Sequence, residues 1–108
     1  MPHYLIQGSY TADGASGLLT EGGTARAEEA SNLIAALGGT LESLYYVWGS
    51  DDVVAICEMP DDASAAAASL AVSSSGKVEV QMTPLIAPAT IDAAGQKASG
   101  AVYRAPGS

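Results

Sequence analysis

The chain is 108 residues long with 48% hydrophobic residues, enough for one domain around one core and too short for a second catalytic module. Four Lys and Arg against twelve Asp and Glu leave a formal charge of −8, which repels polyanions and excludes nucleic acid and anionic membrane as partners. One cysteine rules out an intrachain disulfide framework and a single histidine leaves few soft metal ligands. Neither a basic, signal-like start nor a membrane-length apolar run occurs, so the expected location is cytoplasmic.

In chain order, Tyr4–Tyr10 is rich in aromatic and branched residues without a helical stripe and reads as a strand. The glycine-rich stretch from Thr11 to Thr24 reads as a long loop. From Ala27, the apolar positions Ala30, Leu33, Ile34 and Leu37 follow helical spacing, with Thr24 as a candidate N-cap and Gly38-Gly39 as the stop. Thr40–Trp48 and Val53–Cys57 form a hairpin about the turn residues Gly49-Ser50-Asp51-Asp52. Pro60-Asp61-Asp62 breaks the chain and caps a second helix, Ala63–Val72. Val78–Thr83 alternates apolar and polar residues and is the fourth strand. Pro88–Lys97 holds a short helix weakened by Gly95, and residues 98–108 have no periodicity.

Strand, helix, strand, strand, helix, strand is the split βαβ order of a ferredoxin-like α+β domain. Two helices cover one face of its antiparallel sheet. The other face carries too many apolar groups to stay wet, with Leu41 or Leu44, Tyr46 and Trp48 available for burial, and is expected to pack on a second copy. Residues 1–97 are read as the domain and 98–108 as a tail that docks on a neighbouring subunit or across the barrel mouth.

The residues also resemble a known family. Gly38-Gly39, Leu41-Glu42-Ser43-Leu44-Tyr45-Tyr46, the turn from Gly49 to Asp52, and Glu58-Met59-Pro60-Asp61-Asp62 before an alanine-rich helix are similar to the GYD domain family. Gly14 to Arg26, Ser75-Gly76, Thr83-Pro84-Leu85 and Tyr103-Arg104-Ala105-Pro106-Gly107 extend the resemblance over nearly the whole chain. Asp51 stands where the family's naming tyrosine would fall, while Gly49 and Asp52 retain what a tight turn requires. The resemblance implies a dimeric α/β barrel and no particular activity.

Alternation places His3 and Gln7 on one face of the first strand and Glu79 and Gln81 on one face of the last. These strands are neighbours in a ferredoxin-like sheet, so the four residues are expected to share a polar cleft, with His3 and Glu79 as the candidate catalytic residues, the histidine beside a carboxylate as general base. An ordinary surface histidine near a chain start is the competing reading. Tyr46 and Trp48 offer an aromatic wall suited to a small organic ligand or to a dimer interface. Arg26 follows Gly22-Gly23-Thr24 and could anchor an anion, or pair with Glu29 or another neighbour. The candidate ligand-binding residues are therefore Gln7, Tyr46, Trp48, Gln81 and Arg26. The paired aspartates at 51–52 and 61–62 serve turns and caps, so no metal and no cofactor are expected; Cys57 reads as an inert buried thiol. A homodimer, or a higher homo-oligomer, that binds a small organic molecule is the leading functional expectation. A cofactor-independent oxygenase or isomerase and a purely structural or regulatory assembly module are the alternatives, and whether the protein is an enzyme stays open.

Overall fold

In the computed structural model, which describes residues 1–107, eight elements follow one another: β1 (His3–Tyr10), α1 (Ala12–Glu21), α2 (Gly23–Ala36), β2 (Thr40–Tyr46), β3 (Val53–Glu58), α3 (Asp62–Ser73), β4 (Val78–Leu85) and α4 (Pro88–Ser99). The strands form one antiparallel sheet in the order β2-β3-β1-β4. This is an α+β fold. Among the described residues no helix is long and apolar enough to cross a membrane.

The glycine-rich stretch after β1 is a helix rather than a loop. Thr11 caps α1 by accepting a hydrogen bond from Gly14 N at 3.2 Å, and its own hydroxyl and amide bind the Gly76–Lys77 backbone ahead of β4. Gly14 is there for close approach, because a Cβ at this position would stand 1.9 Å from the Lys77 carbonyl oxygen. Gly22, at φ 89°, breaks the chain between α1 and α2 and occupies the N-cap site expected for Thr24, so α2 starts four residues before Ala27. Gly38-Gly39 ends α2 as expected.

Directly paired residues share a sheet face. Tyr4, Ala55 and Cys57 are buried beneath the helices, and with Ile34, Met59, Ala65 and Ala68 they form the core. The opposite face carries His3, Leu5, Gln7, Val54, Ile56, Glu58, Glu79 and Gln81 and has no layer above it. A β-bulge between Leu41 and Ser43 changes which β2 residues face which side: Leu41 pairs with Cys57 and Leu44 with Ala55, so both leucines lie on the helix side. Tyr46 pairs with Val53 on that same side, and the strand ends there, leaving Trp48 fully exposed. The expectation that Leu41 or Leu44, Tyr46 and Trp48 cover the open face is therefore corrected; Tyr45, exposed, is the aromatic residue that β2 gives to it.

Asp61 caps α3 through Ser64 N at 2.8 Å, and that bond holds its carboxyl below the ordinary range. The Tyr4 hydroxyl donates to the next carboxylate, Asp62, and a phenolate facing that charge is so disfavoured that its pKa rises from 10.0 to about 12. A raised folded-state value means full stabilisation below pH 10 and progressive loss as pH climbs through 12. Chemical denaturation across this window is expected to show stability falling with pH, with a shallower fall in Tyr4→Phe. Identical slopes would remove Tyr4 from the explanation.

Candidate functional site

The helix layer does not close over the sheet. α1 and α2 stand over β1 and β2, α3 over β4, and between them lies a cavity of about 630 Å³. Its floor is the inner face of the sheet, including Ile6, Leu44, Val53, Val80 and Met82, and its walls include Leu18, Ala30, Leu33 and Val72. The sequence makes such a space because α3 is built largely from alanine, whose short side chains cannot fill the gap to α2.

Polar groups sit at one end. Tyr46 reaches up from β2 and donates its hydroxyl to Gly23 O at 2.9 Å, fastening the start of α2. Tyr10 lines the same end, and its pKa rises from 10.0 to about 12 through desolvation and through its neighbour Tyr46. Arg26 lies at the rim and pairs with Glu21 at 3.4 Å, across the α1–α2 junction, rather than with Glu29. Trp48 stands beside Tyr10 and Tyr46 in an adjoining hollow. Arg26 and Tyr46 thus line one cavity on the helix side, and Trp48 stands in the hollow beside it.

His3, Gln7, Glu79 and Gln81 lie on the opposite face and do not form one cleft. Gln7 pairs directly with Gln81 and donates to Asp51 Oδ2 at 3.1 Å, but His3 stands opposite Leu85 and Glu79 opposite Ser9. Six residues of extended β1 separate them, about 20 Å. The partners of His3 are Glu42 at 2.8 Å and Glu58 at 3.1 Å, so the candidate pair His3 and Glu79 is not assembled. One donor atom from each of His3, Glu42 and Glu58 falls within a 4.8 Å set that a divalent cation could span, although the imidazole already joins the two carboxylates. The paired aspartates form no such set among the described residues. Cys57 is fully buried, and burial, with Glu42 adding to it, pushes its thiol up, away from the reactive thiolate.

The expected list omitted Tyr10, Leu18 and Val80. The alternation of β1 already puts Tyr10 on the side of Tyr4 and Ile6, and Val80 follows from β4; Leu18 carries no such signal, because the glycines around it point to a loop.

Residues 4–94 match the model of the GYD domain. The chain belongs to the GYD domain family. The GYD match runs from β1 into α4 and so includes every residue that lines the cavity. No curated protein and no solved structure gives a significant match.

Proposed function

We propose that this GYD-domain protein binds a small, largely apolar organic molecule in the cavity between helices and sheet. The observation that carries the reading is the size and lining of that cavity. Such a space is occupied, by water entering through its open side or by a ligand, and an apolar lining favours the ligand. The Tyr10 and Tyr46 hydroxyls would orient one polar group of the guest, with Arg26 at the rim.

The protein works as a homodimer in this reading. The strand order β2-β3-β1-β4 with α2 and α3 on one face supports a ferredoxin-like subunit, and apolar Leu5, Val54 and Ile56 on the open face support burial of that face against a second copy. His3 and Gln81 would then lie at the dimer face, separated from the cavity by the sheet. A reaction in the cavity would not use His3 as its base, so the oxygenase or isomerase version has no histidine to draw on.

The test uses Trp48, the one tryptophan of the chain, as reporter. Titration with 1-naphthol, a flat apolar ring carrying one hydroxyl, should quench its emission saturably, and native mass spectrometry of freshly purified protein should show a co-purifying small molecule. Linear quenching with no retained mass would leave the cavity as a hydrated cleft and the domain as an assembly module.

A further inference from the structure

The segment after β4 stands off the domain. Every residue from Thr83 to Gly107 is exposed, and α4 buries nothing. The radius of gyration is 17.3 Å, against about 13 Å for a compact chain of this length. Yet the segment is not built for water. Ile86, Ile91, Val102 and Tyr103 are all more than half exposed. Within α4, Ile91, Ala94 and Ala98 recur at helical spacing, Val102 and Tyr103 follow beyond its end, and Pro88 fixes its start.

Charge identifies what covers it. Residues 1–85 carry eleven Asp and Glu against Arg26 and Lys77, a balance of −9, whereas residues 86–107 carry Lys97 and Arg104 against Asp92, a balance of +1. Arg26 and Lys77 pair on the helix side, with Glu21 and Asp13. The open sheet face holds Glu42, Glu58 and Glu79, with Asp51 bound at Gln7, around an apolar centre of Leu5, Val54 and Ile56, and the four strands contribute no lysine or arginine to it. Two such faces meeting alone would set carboxylates against carboxylates with only His3, already shared between Glu42 and Glu58, to offset them, which is costly where water is excluded.

We infer that residues 86–107 form an arm that docks on the open, acidic sheet face of a second copy, its Ile91 stripe on the apolar centre and Lys97 toward the carboxylates. The inference rests on the self-association proposed above and adds the element that makes it electrostatically permissible. Each copy gives an arm and receives one, so the contact closes as a two-fold dimer.

The test uses the full chain. Sedimentation should show wild-type dimer at tens of micromolar, with dissociation constants at least tenfold weaker in Ile91→Asp and in Lys97→Glu, the latter difference shrinking in high salt. A photoreactive benzoylphenylalanine at position 91, in a mixture of isotope-labelled and unlabelled chains, should cross-link between chains to peptides from β1 or β3. A wild-type monomer would overturn both the self-association and the arm. A dimer indifferent to both substitutions, or cross-links confined within one chain, would overturn the arm alone. Circular dichroism should be unchanged in both variants, since neither residue is in the core; a loss of fold would show that the arm supports its own domain and would also overturn the inference.

Discussion

Gly14→Ala is expected to lower the melting temperature by on the order of 10 °C or more, whereas Gly17→Ala, one turn further along the same helix, is expected to leave it unchanged or raise it. The two glycines look alike in sequence and differ in surroundings. At Gly14 a methyl group would meet the Lys77 carbonyl oxygen at 1.9 Å and the carbonyl carbon at 2.8 Å, both backbone atoms that no rotamer change can move. Relief requires α1 to lift, stretching the Thr11 bonds to Gly76 and Lys77. Overpacking costs roughly 1–3 kcal/mol and a weakened hydrogen bond about 1 more, and each kcal/mol lowers the melting temperature of a domain this size by about 4–8 °C. A methyl on Gly17 meets nothing within 4 Å and removes the entropic cost of glycine inside a helix, about 0.5–1 kcal/mol. Thermal melts of both variants decide the matter: equal effects would mean that α1 is not packed on Lys77.

This pair also shows where the sequence was legible. The alternation of β1 and β4, the Gly38-Gly39 stop and the Asp61 cap each rest on local chemistry, and the structure has them where local chemistry puts them. α1 was not legible, because three glycines in eleven residues signal a loop and only the Lys77 carbonyl, more than sixty residues away, explains why one of them is there. The bulge at Leu41/Ser43 was hidden for the same kind of reason: strict alternation sets Leu41 and Leu44 on opposite faces, and the extra residue that reunites them appears only in the pairing with β3. The site depends on both of these features. Tyr46 and Arg26 are legible as single residues, but the cavity that gathers them needs α1 as a wall and Leu44 as floor, and Trp48 falls in the hollow beside it. His3 has its carboxylate partners on β2 and β3, Glu42 and Glu58, rather than Glu79 on β4.

Ala30→Phe should stabilise the unliganded protein and remove its capacity to bind 1-naphthol. Ala30 lies on the cavity side of α2, at a position where a larger side chain enters the space instead of a packed neighbour. Full burial of a phenylalanine side chain is worth about 1.5–3 kcal/mol, and because the cavity is open on one side a gain of about 1 kcal/mol is the expected share. The same ring would occupy volume that the guest requires, so the saturable quenching of Trp48 should weaken at least tenfold while the emission of the unliganded variant stays that of the wild type. The two readouts move in opposite directions only if the cavity is both underfilled and the binding site. A stabilised variant that still binds would place the site elsewhere, and a destabilised variant that no longer binds would mean that α2 packs closer to the sheet than the cavity allows.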